Sequence, residues 1–121
     1  MPKTALVVDD SASMRQMISY VLTQAGFVVA EGADGKQGLS KLESQKFDII
    51  ITDLNMPVMD GIEFIKQLRS QPKLKYTPVL MLTTESLDSK KQAGKAAGAT
   101  GWLVKPFNPQ QMLQVIAKVL P

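Results

Sequence analysis

The sequence contains neither cysteine nor histidine, and these two absences narrow the chemistry that the chain can perform. Without cysteine it cannot build a disulfide framework, which suits a reducing cytoplasm. Without either residue it also lacks the side chains that hold soft transition metals. We therefore expect any bound metal to be held by oxygen atoms, and oxygen ligands favour a hard cation.

Long apolar runs are missing as well, since no segment reaches the roughly 18 residues that a membrane-spanning helix needs. The first ten residues, MPKTALVVDD, hold one lysine and a short apolar run that ends in two aspartates, which does not fit a secretion signal. The net charge is only +3 and the lysines are scattered, so nucleic-acid binding has little support. We expect a cytoplasmic, monomeric protein that binds neither membranes nor nucleic acid.

What the sequence does contain is an alternation of short apolar segments with segments of helical periodicity. The five strand candidates are TALVV, FVVAEG, FDIIITD, PVLMLT and GWLVK, and three of them suit strands buried on both faces. The five helix candidates cover 11–25, about 35–44, a segment carrying Ile62, Ile65 and Leu68, about 88–97, and a segment that opens on Asn108. This order predicts one α/β domain over residues 1–121, a doubly wound parallel sheet with helices on both faces.

Polar side chains occur where the predicted strands end. The first predicted strand ends at Asp9 and Asp10, the third ends on Asp53, the fourth on Thr83 and the fifth on Lys105. Because ligands of an open parallel sheet bind beyond the carboxyl ends of its strands, we expect these side chains to converge. Each alone has an ordinary explanation, such as a helix cap for an aspartate. Three clustered carboxylates repel one another, however, so together they predict a bound cation, with Mg²⁺ favoured over Ca²⁺.

Four motifs give the sequence a specific resemblance to the receiver domains of bacterial two-component response regulators, and among them to the stand-alone chemotaxis regulators. They are VVDDS, DLNMPVMDG, MLTTE and GWLVKPF, and together they cover essentially the whole chain. The resemblance implies a flavodoxin-like three-layer sandwich, with five helices around a parallel sheet of strand order 2-1-3-4-5. It also implies a cis peptide bond between Lys105 and Pro106.

The resemblance further implies that Asp53 is the phosphoacceptor. Lys105 and the hydroxyl of Thr83 would contact the phosphoryl oxygens, together with the backbone amides of Asn55 and Thr84. A carboxylate is a competent nucleophile toward phosphorus, and the acyl phosphate that it forms is readily hydrolysed. On this interpretation Asp53 ends a rigid strand because a nucleophile needs a fixed position.

The same resemblance implies which residues bind Mg²⁺. Asp10 and Asp53 would be direct ligands, Asp9 would act through a water molecule, and the backbone carbonyl of Asn55 would complete the protein's share. The segment after Asp53 would then leave the strand so that this carbonyl can turn toward the metal.

Two further pairs of residues have implied roles in timing and signalling. Asn55 and Glu85 occupy the positions that tune hydrolysis, and their pairing implies a phosphoryl lifetime of seconds to a minute. Trp102 occupies the position of an aromatic switch that follows Thr83, where most receiver domains have tyrosine or phenylalanine. Because tryptophan is larger, simple packing beside the fourth helix is the competing interpretation of Trp102.

The implied function is a phosphorylation-controlled switch in chemotaxis, not an enzyme with a separate substrate, although it would catalyse its own phosphorylation and dephosphorylation. Without histidine, the chain needs a separate histidine kinase or a small phosphodonor. We expect no output domain, so the signal would pass to a partner such as the flagellar motor switch, with a phosphatase as a further partner. A relay intermediate or a phosphate sink is the alternative within the family.

Two other protein classes fit the sequence less well. Phosphatases of the haloacid-dehalogenase type need a second aspartate two residues after the nucleophile, where this chain has Asn55, and their acidic pair follows the lysine. Flavodoxin-like FMN binders need a loop rich in serine, threonine and glycine after the first strand. Here Asp9 and Asp10 occupy that place and would repel the phosphate.

Overall fold

A computed structural model describes residues 2–84 and 88–120, in which five strands alternate with five α-helices. The strands are β1 (Thr4–Val8), β2 (Val28–Gly32), β3 (Ile49–Asp53), β4 (Val79–Thr83) and β5 (Gly101–Val104). The helices are α1 (Ala12–Gln24), α2 (Gly35–Ser44), α3 (Gly61–Arg69), α4 (Asp88–Ala97) and α5 (Pro109–Val119). These bounds agree closely with the segments that periodicity predicts. A short 3-10 helix at Pro72–Leu74, ahead of β4, was not predicted.

All five strands are parallel, and their order in the sheet is β2-β1-β3-β4-β5, as the resemblance implied. Side chains alternate between the two faces, so that in β1 Leu6 and Val8 contribute to one core and Ala5 and Val7 to the other. β3 and β4 are buried along their whole length, as predicted for central strands of a parallel sheet.

Each face of the sheet is covered by helices, which gives the three-layer sandwich. The core on one face includes Leu42 of α2, Phe64 and Leu68 of α3, and Ala97 of α4. The core on the other face includes Ile18 and Leu22 of α1 and Met112 and Ile116 of α5. Within the described ranges, none of these helices combines the length and the apolar character that crossing a bilayer requires.

Capping residues fix where the helices begin. Asn108 caps α5, as predicted, and it also forms a capping box with Gln111, while Pro109 takes the first helical position. Asp60 caps α3 by accepting a hydrogen bond of 2.9 Å from the amide of Glu63. α3 and α5 therefore start directly after the loops that leave β3 and β5 at the carboxyl edge of the sheet.

Candidate functional site

The polar residues that follow the strands meet at the carboxyl edge of the sheet. One carboxylate oxygen from each of Asp9, Asp10 and Asp53 lies within 4.8 Å of the other two. The ammonium of Lys105 is 3.0 Å from Oδ1 of Asp53 and 3.6 Å from Oδ2 of Asp9. The fold thus brings three carboxylates and one lysine, from segments far apart in the sequence, into one cluster.

Asp9 is the most deeply buried member of this cluster, with no exposed surface. Its Oδ1 accepts a hydrogen bond of 2.9 Å from the amide of Ser11. Its Oδ2 is buried and has no hydrogen-bond partner among the described residues, although the ammonium of Lys105 lies 3.6 Å away. A buried carboxylate oxygen without a hydrogen bond is costly, so this atom is suited to a cation or to a water molecule bound to one.

The charges of the cluster also favour a cation. Three carboxylates face one ammonium, which leaves two formal negative charges in the cluster, and two of the carboxylates, those of Asp9 and Asp53, are buried. The available ligands are all oxygen atoms, and Asp10 is exposed where a partly hydrated ion could reach it. These residues therefore fit Mg²⁺, which prefers oxygen ligands and keeps several of its own water molecules.

The backbone leaves β3 just after Asp53 and returns beside it. The amide of Leu54 still donates to the carbonyl of Leu82 at 2.8 Å, and the amide of Gly61 donates back to the carbonyl of Leu54 at 2.8 Å. A Cβ atom on Gly61 would collide with the carbonyl oxygen of Asp53 and would lie 2.9 Å from Cα of Leu54. Gly61 is therefore required by close packing against the end of β3.

The loop between Leu54 and Gly61 contains a tight γ-turn. The amide of Met59 donates to the carbonyl of Pro57 at 2.7 Å, and the intervening Val58 has a φ of 69°. Positive φ is unfavourable for a β-branched residue, so the loop holds Val58 in strain. Asn55, the predicted metal ligand, opens this loop and is exposed.

The two residues of the predicted switch lie on neighbouring strands. Thr83 ends β4 with 1% of its surface exposed, and its carbonyl accepts a hydrogen bond of 2.7 Å from the amide of Lys105. Trp102 lies in β5 opposite Met81 and is half-buried against the core. It also lines a cavity of about 260 Å³ between α4 and β5. This arrangement places Trp102 at the surface formed by α4 and β5.

The remaining predicted residues differ in what the structure says of them. Thr84 follows β4 and is exposed, and Glu85 lies outside the described residues. The peptide bond between Lys105 and Pro106 is cis, which confirms that prediction.

Arg15 of α1 also contacts the site, and the sequence alone does not predict this contact. Its Nη1 donates a hydrogen bond of 2.7 Å to the backbone carbonyl of Asp9. A signal was present, because Arg15 is the single charged residue of α1. Its partner could not be read from periodicity, since the contact joins the first turn of a helix to the strand end before it.

Burial raises the pKa of the Asp53 carboxyl above its ordinary value of 3.8. The negative charges of Asp9 and Asp10 raise this pKa further, whereas the hydrogen bond and the charge of Lys105 lower it. The net direction is upward, so the fold penalises the ionised form of Asp53. A nearby divalent cation would remove this penalty.

This shift predicts how stability depends on pH in the absence of Mg²⁺. An acid with a raised pKa binds more protons when folded, so stability falls as pH rises from 3.8 through the raised pKa. Asp53→Asn should therefore raise the melting temperature at pH 7, and the gain should shrink toward pH 4. Thermal unfolding of the wild type and the variant between pH 4 and pH 7 measures this difference in melting temperature. Asp60→Asn, which keeps a capping side chain, should show no such gain. Equal effects of the two variants would contradict the prediction.

Comparison with known proteins gives one consistent answer. Residues 5–117 match the family model of the response regulator receiver domain. The chain is 40% identical over 115 residues to the chemotaxis protein CheY of Pseudomonas aeruginosa, covering 94% of this chain and 93% of that protein. It is 54% identical to the solved structure of the chemotaxis response regulator CheY4 of Vibrio cholerae, with a TM-score of 0.96, covering 99% of this chain and 100% of that one.

A more distant structure bears on the acidic cluster. The receiver domain of a sensor histidine kinase from Pseudomonas aeruginosa has a magnesium ion coordinated in its active-site cleft. It is 27% identical to this chain, with a TM-score of 0.90, and the match covers 99% of this chain and 98% of that one. Receiver domains are signalling domains and not classical enzymes, and phosphorylation on aspartate is general to them. This chain belongs to the response regulator receiver domain family and is homologous to the CheY chemotaxis regulators.

Proposed function

We propose that this protein is a single-domain response regulator, phosphorylated on Asp53 in a Mg²⁺-dependent reaction. The proposal rests on the arrangement of residues around Asp53. Asp53 is 5% exposed at the end of a fully buried strand, and its carboxylate lies 3.0 Å from the ammonium of Lys105 and is grouped with those of Asp9 and Asp10. A nucleophile held in this way has a fixed position, lies next to the ammonium of Lys105, and belongs to a group of carboxylates that can bind a metal.

The reaction moves a phosphoryl group from a donor to Asp53. One carboxylate oxygen of Asp53 forms a bond to phosphorus, while the bond from phosphorus to the donor breaks and the leaving group keeps the bonding electrons. With a phosphohistidine donor, the leaving group is an imidazole that then takes up a proton. Because this chain has no histidine, the donor is a separate protein, a CheA-like histidine kinase, or a small molecule such as acetyl phosphate.

Lys105 and Thr83 hold the transferred group in this proposal. The ammonium of Lys105 pairs with Asp53 before transfer and can pair with a phosphoryl oxygen afterwards, while the Thr83 hydroxyl and the amides of Asn55 and Thr84 bind the others. Asp9, Asp10, Asp53 and the carbonyl of Asn55 would hold Mg²⁺, which offsets negative charge on the passing phosphoryl group.

The signal leaves through the surface formed by α4, β5 and α5, with Thr83 and Trp102 as the coupling pair. Trp102 is the only tryptophan in the chain, so its fluorescence reports this surface without background from another indole. Adding beryllofluoride, a phosphoryl mimic, together with Mg²⁺ should change the Trp102 emission clearly, because the ring moves or its surroundings change. Thr83→Ala should reduce the change, since it removes the hydroxyl that follows the phosphoryl group.

The fluorescence experiment needs proof that the mimic is bound. A fluorine resonance of the bound beryllofluoride would supply it, and Asp53→Asn, which lacks the acceptor carboxylate, serves as the control. Unaltered emission with the mimic bound would mean that Trp102 only packs beside α4, and that the aromatic switch does not operate here.

The phosphoryl group should be short-lived, on a scale of seconds to a minute. The basis is the identity of Asn55 and Glu85, which together favour rapid attack by water. The decay is measured by removing the phosphodonor and following intact mass or radiolabel. Unfolding the labelled protein gives the intrinsic hydrolysis rate of the acyl phosphate as the baseline. A half-life of hours in the folded protein would contradict this assignment.

The similarity to CheY proteins supports a role in chemotaxis. In the cytoplasm the phosphorylated form would bind a flagellar motor switch component, and a phosphatase would help to reset it. A relay intermediate or a phosphate sink would instead exchange the group with a histidine phosphotransfer protein. Capture by the beryllofluoride-activated protein, with Asp53→Asn as the control, separates these roles: retention of a motor switch component supports terminal output, and retention of a phosphotransfer protein supports the relay.

A further inference from the structure

Arg15 stands in a place that is unfavourable for a cation. It is the single charged residue of α1 and lies in its first turns, where the helix dipole disfavours positive charge. Its side chain is also largely withdrawn from water, with 18% of its surface exposed. Both effects cost stability, so the fold must offset them through specific partners.

The partners of Arg15 connect two neighbouring strands to α1. Nη1 donates to the carbonyl oxygen of Asp9 at 2.7 Å, and Nε donates to Oε1 of Glu31 at 2.9 Å. Glu31 lies in β2 next to Gly32, whose carbonyl accepts a hydrogen bond of 3.1 Å from the amide of Asp9. The guanidinium is thus held by β2 and in turn holds the residue that follows β1.

These contacts leave Asp9 little freedom. Its amide is bonded to Gly32, its carbonyl to Arg15, and its Oδ1 to the amide of Ser11. The atom left without a hydrogen bond among the described residues is Oδ2, which is buried in the acidic cluster. The carbonyl that Arg15 binds also belongs to the planar peptide joining Asp9 to Asp10, so fixing it orients both residues.

We propose that Arg15 is a positioning residue for the cation site, and that Glu31 holds its guanidinium in place. By fixing the peptide between Asp9 and Asp10, Arg15 presets both carboxylates for Mg²⁺. The inference rests on the proposed function, because it presumes that the cluster binds Mg²⁺. Positioning by Arg15 should strengthen Mg²⁺ binding, whereas its positive charge near the site should by itself weaken Mg²⁺ binding.

The two roles of Arg15, through its hydrogen bonds and through its charge, therefore predict opposite changes in Mg²⁺ affinity when Arg15 is replaced. Arg15→Met keeps a long side chain and removes both hydrogen bonds, and calorimetric titration of Mg²⁺ should show binding weaker by on the order of 10-fold. A role through charge alone predicts tighter binding instead. Glu31→Ala should weaken binding in the wild-type background but change it little in the Arg15→Met background, because the two residues act through one contact. If the two residues acted independently through their charges, the effects of the two substitutions on the free energy of Mg²⁺ binding would be additive.

Two further variants make each outcome decisive. Lys118→Met removes an exposed charge at the end of α5 and should leave the affinity unchanged. Arg15→Lys keeps the charge but loses the planar fork that reaches both partners, so its affinity should lie below that of the wild type. If Arg15→Met does not fold in a thermal melt, Arg15→Lys decides, and wild-type affinity in it would overturn the inference.

Failure of this inference is distinguishable from failure of the proposed function. If the wild-type protein binds Mg²⁺ and a folded Arg15→Met variant binds it equally well or more tightly, only the role of Arg15 is overturned. If the wild-type protein does not bind Mg²⁺, the proposed function is overturned together with the inference.

Discussion

Asp53→Asn should abolish phosphorylation by acetyl phosphate in the presence of Mg²⁺. The substitution keeps the size and shape of the side chain but replaces the carboxylate, which is the proposed nucleophile, with a neutral amide that does not attack phosphorus under these conditions. Intact mass after incubation should show one added phosphate on the wild-type protein and none on the variant.

The matched control is Asp60→Asn, which makes the same chemical change at the cap of α3 and should be phosphorylated normally. Because Asp53 is penalised when ionised, the Asp53→Asn variant should also fold well, so its failure would not reflect unfolding. A comparable label on the Asp53→Asn variant, located at another residue, would show that the nucleophile has been misassigned.

Asp10→Ala should weaken Mg²⁺ binding by at least about 10-fold, because in the proposed function it removes a charged direct ligand, and loss of even an outer partner costs that much. Asp10 is exposed, and the loss of one of three clustered carboxylates relieves repulsion, so the metal-free variant should be no less stable than the wild type. Calorimetric titration measures the affinity, and thermal unfolding checks the fold.

Glu43→Ala is a suitable control for Asp10→Ala, because Glu43 is an exposed acid of α2 on the wall of a separate cavity near Lys46 and Lys73. It removes the same charge and should leave the affinity for Mg²⁺ unchanged. An Asp10→Ala variant that binds Mg²⁺ like the wild type would remove Asp10 from the site.

The fold could be predicted well because each element carries its own signal. The buried strands are short runs of branched aliphatic residues, and Asn108 and Pro109 indicate where α5 begins. Strand order was a different matter. Alternation of strands and helices requires a parallel sheet, but the order β2-β1-β3-β4-β5 came from the resemblance, since several orders satisfy the same pattern.

The site was predictable as far as strand ends define it. Asp9, Asp53 and Lys105 meet because the carboxyl ends of parallel strands share an edge, a consequence of topology. Gly61 and Arg15 depend instead on distances between segments that sequence periodicity does not encode. Close packing of Gly61 on the carbonyl of Asp53 and the contact of Arg15 with Asp9 arise only when loop, helix and strand are assembled.

Phosphorylation of Asp53 is tested most directly by locating the phosphoryl group on the wild-type protein after reaction with acetyl phosphate and Mg²⁺. Reduction with borohydride converts a phosphorylated aspartate to homoserine, which peptide mass spectrometry can place in the sequence. We expect one phosphate, stable in acid and labile to base and hydroxylamine, with homoserine at position 53. No Mg²⁺-dependent phosphate, or homoserine at a different aspartate with Asp53 unchanged, would contradict it.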